Sequence, residues 1–270
     1  MVDKSTVIGF GFVGCIGCTL VAAYYFYVAI TNQTGPKRGK EHMKDYSGRF
    51  EMDLLPVFVN GITAMTYLGE CIEEIDGRFG FFNRYRYCTY VLTCPLMIFE
   101  LVATIGAPYS LTMSALTFMS LICAVFADVA TSNHERWVWF TMGTLMFVAL
   151  AFMLRRTQTY ARKLNDELCG KCETMNQDLK SLGTENDVLP THMLRIETPM
   201  DKARLFIEGA MLLMWTIWPI FPVAFVLEKS GVINRDASQV IYACADLVCK
   251  TLHSIFLDFY KEGLRQTVFS

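Results

Sequence analysis

The chain is short of charge. Asp, Glu, Lys and Arg make up 19% of its 270 residues, against roughly 25% in an average soluble domain, which leaves too little to cover a water-facing surface. It has no basic surplus either. Twenty-four Lys and Arg stand against 26 Asp and Glu, the formal net charge is −2 and the pI is near 6.1, which argues against a nucleic-acid binder. Eight prolines and 18 glycines without a period exclude collagen. Ten cysteines over this length do not make a small disulfide-stapled scaffold, and no internal repeat is visible. What is abundant is hydrocarbon. Hydrophobic residues reach 53% and mean hydropathy is +0.32, which excludes disorder and points to a polytopic membrane protein.

A bilayer core takes about 20 apolar helical residues to cross. Seven stretches qualify: Thr6 to Ile30, Leu54 to Ile72, Tyr87 to Ile105, Ser110 to Ala130, Trp137 to Leu154, Leu205 to Leu227 and Val240 to Tyr260. They are too long and continuous for the alternating strands of a barrel. The fold class is therefore all-α, with seven transmembrane helices. A cleaved signal peptide is the alternative for the first stretch, but its apolar length exceeds a usual signal core and only Lys4 precedes it, so it is read as a mature helix.

Basic residues set the orientation. With the amino terminus outside, the segments 31–52, 155–204 and the tail after Tyr260 hold sixteen Lys and Arg, and the opposite segments hold six. The positive-inside rule thus directs the amino terminus outward. Residues 1–270 read as one membrane domain, with 155–204 a long cytoplasmic link between the fifth and sixth helices. From Arg155 to Leu182 that link has the pattern of a helix running on from the membrane, until Gly183 and Pro190 break it. Cys169 and Cys172 form a CxxC there. Without a second pair nearby, in a reducing compartment, they read as free thiols, and no metal site is expected.

Ionisable residues inside spans mark function by default. Asp246 and Lys250 are four apart in the seventh span, on one helix face. A buried amine can shed its proton and attack an aldehyde, and the protonated imine that results needs an anion beside it. An ordinary intramembrane ion pair is the alternative. In the third span, Arg86, Thr89 and Thr93 share a face, with Glu100 near the far end. The threonines could equally bond back to carbonyls around Pro95, and Glu100 could be reaching for water. The sixth span carries WTIWPIFP, Trp215 to Pro222, whose indoles and prolines would stiffen and bend a helix or simply pack in a core.

Together these segments resemble the microbial (type 1) rhodopsins. The third-helix pattern R-Y-x-x-x-x-x-T-x-P is met by Arg86, Tyr87, Thr93 and Pro95. Trp215, Trp218 and Pro219 meet W-x-x-aromatic-P of the sixth, and Asp246 and Lys250 meet D-x-x-x-K of the seventh. Within that family, Thr93-Cys94-Pro95, the run from Trp218 to Pro222, and Asp246 to Lys250 resemble bacteriorhodopsin-like channelrhodopsins. The T-C-P and Cys249-Lys250 elements also look like algal anion channelrhodopsins.

The resemblance implies that Lys250 carries all-trans retinal as a Schiff base, with Asp246 as counterion. It implies a chromophore pocket lined by Trp215, Trp218, Pro219, Tyr90, Cys94 and Cys249, completed by Tyr87, Met97, Phe140, Thr144 and Phe147. Arg86, Thr89, Thr93, Glu100 and Glu70 would belong to the ion pathway, with the Arg86–Asp246 region disrupted on opening. Proton pumps and most cation channels have a carboxylate where this chain has Thr89, and threonine cannot accept that proton. The expected function is a light-gated chloride channel and not an enzyme. The alternatives are a light-gated cation channel, favoured by the acidic cluster Glu70, Glu73, Glu74 and Asp76 at the outer end of the second helix, and a light-driven chloride pump. The expected partners are retinal, chloride or similar anions and the lipid bilayer, in a homo-oligomer with a trimer favoured over a dimer, in the plasma membrane.

Overall fold

Each long apolar run becomes a helix, because only an internally bonded backbone can be placed in hydrocarbon without stranding its N–H and C=O groups. The computed structural model describes residues 4–34, 54–75, 82–182 and 199–269. Its helices are α1 (Lys4–Thr34), α2 (Leu55–Ile75), α3 (Phe82–Ile105), α4 (Ser110–Val129), α5 (Asn133–Leu182), α6 (Pro199–Ile217), α7 (Ile220–Lys229) and α8 (Arg235–Phe269). Among the described residues there is no strand, and seven helical segments are long and apolar enough to cross a membrane. The sixth of them, Arg204–Lys229, is made of α6 and α7 together. The seven-helix expectation is met.

The interruption between α6 and α7 falls where the sequence placed its bend. Proline lacks an N–H and its ring crowds the carbonyl four residues back. At Trp218–Pro219 the helix gives way to a turn, and the chain resumes with Phe221 N–H donating to Trp218 O at 3.2 Å. Two short connections turn on glycines at positive φ, Gly106 (75°) after α3 and Gly231 (77°) after α7. At the first, Ala107 N–H returns to Val102 O at 3.1 Å, closing the helix end.

The fifth helix runs unbroken for 50 residues, about 75 Å at 1.5 Å per residue, so it extends well past a hydrocarbon core of about 30 Å. That bears out the helical reading of Arg155 to Leu182. The expected breaks at Gly183 and Pro190 lie outside the described residues, as do the side chains of Cys169, Cys172, Glu73 and Glu74, and Asp76 entirely.

Sequential neighbours pack side by side, and α8 closes the ring against α1 while also touching α2 and α3 across the interior. Apolar side chains such as Leu20, Met65, Leu111, Phe152 and Leu205 face outward, mostly uncovered, as suits a surface meeting lipid rather than water. One contact depends on a missing side chain. A Cβ on Gly143 of α5 would stand 3.1 Å from both Cys123 Cβ and the Ser120 carbonyl of α4, where Ser120 Oγ donates to Gly143 O at 2.9 Å. Gly143→Val is expected to force α4 and α5 apart at a cost of about 1–3 kcal/mol, read as a lower unfolding temperature in detergent. An unchanged temperature would show that the two helices separate freely.

Candidate functional site

Asp246 and Lys250 sit one turn apart on the face of α8 that looks inward. Lys250 is 1% exposed. Its Nζ lies 2.9 Å from Asp246 Oδ1 and 3.1 Å from Oδ2, and it donates to Thr63 Oγ1 of α2 at 2.9 Å. Tyr67, one turn along α2, donates its hydroxyl to Asp246 Oδ2 at 3.1 Å. The face of Tyr90 lies 5.1 Å from the lysine nitrogen, close enough for a cation–π contact. Removing two charges from water is expensive, and the arrangement offsets that cost by direct pairing plus extra hydrogen bonds to both partners.

Two further ion pairs lie along the same interior. Toward the amino-terminal end of the bundle, Arg86 Nη2 is 3.9 Å from Glu70 Oε2, both side chains being buried, and the guanidinium lies 5.1 Å from the centre of the Tyr242 ring. Of the acidic cluster at the outer end of the second helix, Glu70 is therefore buried and beside a guanidinium. Toward the opposite end, Glu100 is buried and receives Lys261 Nζ at 2.8 Å. It does not reach for water, because a lysine from the end of α8 comes to it.

Between these levels, Thr89 is buried and shares a short hydrogen bond with Thr66 of α2. Thr93 Oγ1 donates to Thr89 O at 2.8 Å, so the back-bonding alternative describes this threonine.

An apolar cavity opens among α3, α4, α5, α7 and α8. Of the residues expected to form the pocket, Tyr87, Tyr90, Cys94, Phe140, Thr144, Phe147 and Trp218 line it, and Arg86 joins them. Trp215 does not. It is 36% exposed and lies in α6, before the turn at Trp218–Pro219. Met97 is fully buried in the core packing instead. Cys249 accepts the Trp218 indole N–H at 3.2 Å from behind the wall, and Pro219 caps α7. Lys250 and Asp246 are not lining residues either, and Tyr90 is the group shared by the cavity and the ion pair.

The reading from sequence missed the wall supplied by α4: Thr117, Ser120, Leu121, Ala124 and Asp128. Their spacing of three and four is one helix face, and a face of small and polar residues within a greasy span was the available signal.

A family profile described as bacteriorhodopsin-like protein matches residues 12–177 and 192–262. The chain belongs to the bacteriorhodopsin-like family of microbial rhodopsins. No curated protein sequence matched it. Solved structures resemble it throughout. The thermophilic rhodopsin of Rubrobacter xylanophilus has a TM-score of 0.68 at 16% identity, covering 97% of this chain and 98% of that one. The proton pumping rhodopsin AR2 of the marine alga Acetabularia acetabulum has 0.67 at 13%, covering 98% and 97%. The transmembrane domain of the Salpingoeca rosetta rhodopsin phosphodiesterase has 0.62 at 10%, covering 96% and 85%. At these identities the likeness concerns the fold.

The bacteriorhodopsin-like family binds retinal, and this rhodopsin's interior fits such a group. A fully buried lysine is paired to one carboxylate, and the aromatic Tyr90 joins that pair to an apolar cavity walled by Trp218, Phe140 and Phe147. The chain is an integral, multi-pass membrane protein.

The ion pair makes a stability prediction independent of any ligand. Asp246→Ala leaves a buried ammonium unpaired and is expected to cost about 3–5 kcal/mol. Adding Lys250→Met should restore most of it, as read from thermal unfolding of the ligand-free protein in detergent. A double variant no more stable than Asp246→Ala would contradict the pairing.

Proposed function

We propose that this rhodopsin is a light-gated anion channel, with all-trans retinal attached to Lys250 and Asp246 as its counter-charge. Bound there, retinal would supply light absorption and a light-driven change of shape. The carrying observation is Thr89, which sits on α3 beside Tyr90 with its hydroxyl bonded to Thr66. A hydroxyl cannot hold a proton taken from the Lys250 nitrogen at physiological pH, so outward proton pumping lacks its acceptor. With no carboxylate at position 89, the field around Lys250 is also less hostile to an anion.

The ion pairs support the same reading. Glu70 is matched by Arg86, Asp246 by Lys250 and Glu100 by Lys261. None of these three carboxylates stands in the interior without a cation beside it, which weakens the cation-channel alternative that the acidic end of α2 suggested. Trp218, bonded to Cys249 next to Lys250 and standing at the break between α6 and α7, would pass movement at the lysine to the sixth span. Arg86 and its partners would re-pair as the path among α1, α2, α3 and α8 opens. The same reading makes the protein a homo-oligomer, a trimer, in the plasma membrane, with chloride as the conducted ion.

Whole-cell voltage clamp under illumination, with retinal supplied, tests the reading. Replacing external chloride by a large impermeant anion is expected to move the reversal potential in the positive direction. A reversal that stays put and follows sodium, potassium or protons would make it a cation channel. A current that never reverses would make it a pump.

A further inference from the structure

One turn beyond Lys250 on α8, His253 is 1% exposed, and neither ring nitrogen has a hydrogen-bond partner among the described residues. The Met97 backbone of α3 lies near the ring without meeting hydrogen-bond geometry. On α2, Asn60, which reaches the adjacent Ser254, is wholly buried. Its Nδ2 donates to Pro56 O at 2.8 Å and to Ser254 Oγ at 3.2 Å, while Oδ1 has no partner among the described residues. A neutral imidazole always carries one donor and one acceptor. Leaving both unmade is costly in a dry core, and a leucine would fill the same space without that cost.

The positions are ordered along the helix. Residues 246, 250 and 253 follow at spacings of four and three and make one stripe of α8. Beyond His253 the stripe becomes apolar at the fully buried Leu257, and it ends at Lys261 on Glu100. Along this stripe His253 stands between two lysines, Lys250 and Lys261, with Leu257 between His253 and Lys261. The groups at this level of α8 that can donate are an imidazole N–H and the Ser254 hydroxyl. Donors between cations suit a small anion that has shed part of its water.

We propose that His253, with Asn60 and Ser254, is the contact a permeating inorganic anion makes between Lys250 and Lys261. His253 and Ser254 donate to the anion, and Asn60 Oδ1 accepts from water that travels with it. The inference rests on the anion-channel reading and names the specificity-determining side chain of its inner path.

Light-gated chloride currents, normalised to pigment absorbance, test it through His253→Gln, which keeps an N–H, and His253→Leu, which has none. Glutamine is expected to stay within about twofold of the unsubstituted protein and leucine to lose about fivefold or more. A leucine variant with full current, or a glutamine variant that falls as far as leucine, would overturn the proposal. A second measurement does not depend on current. In membranes, His253→Cys is expected to react with a charged, water-soluble methanethiosulfonate faster in light than in darkness, by mass analysis of its peptide, and Met97→Cys in the dry packing is not. Equal rates in light and dark, or equal rates at 253 and 97, would overturn it. If the unsubstituted current ignores chloride, the channel reading fails. Light-dependent labelling at 253 would then still place His253 on a water-filled path, and its absence would remove that as well.

Discussion

The pairing of Lys250 with Asp246 constrains the rest of the molecule. An ammonium and a carboxylate taken into a low-dielectric interior persist only if each finds its partner and its remaining hydrogen bonds. Meeting that demand recruits Thr63 and Tyr67 from α2 and the ring of Tyr90 from α3. These contacts tie α2, α3 and α8 into one unit at mid-depth. The pairs Glu70–Arg86 and Glu100–Lys261 repeat the device toward either end, joining α2 to α3 and α3 to α8.

The other half of the bundle is organised by apolar packing. There α4, α5 and α7 stand around a cavity whose walls are rings and small side chains. Gly143 allows α4 and α5 to approach closely, and Phe140 stacks on Phe225 at 5.3 Å to hold α5 against α7. The two halves meet at Tyr90 and Trp218. Tyr90 faces both the lysine and the cavity, and Trp218 reaches from the break in the sixth span to Cys249, the residue before Lys250. Trp218 thus links the neighbourhood of the lysine to the break in the sixth span, where Pro219 has no N–H to give to a helical hydrogen bond.

Much of this was legible in the residues. Seven apolar runs specify seven helices because hydrocarbon leaves the backbone no alternative, and the D-x-x-x-K spacing places Asp246 and Lys250 together through local helix geometry alone. What escaped was long-range. Arg86 pairs with Glu70 because α2 and α3 lie side by side, which no spacing within α3 encodes. Glu100 meets Lys261 across 161 positions of sequence. The pattern W-x-x-aromatic-P shows that a helix breaks, but not which of Trp215 and Trp218 the break turns toward the α4–α5–α7 cavity. The wall from α4 was missed because its threonine, serine and alanine are unremarkable one by one and matter only as a face.

The most direct test of the account is chemical. The protein, loaded with all-trans retinal, would be reduced with borohydride and the modified peptide located by mass spectrometry. The account predicts the retinyl group on Lys250, with no visible pigment formed by Lys250→Ala. A retinyl group on another lysine, or a covalent visible pigment in Lys250→Ala, would contradict it.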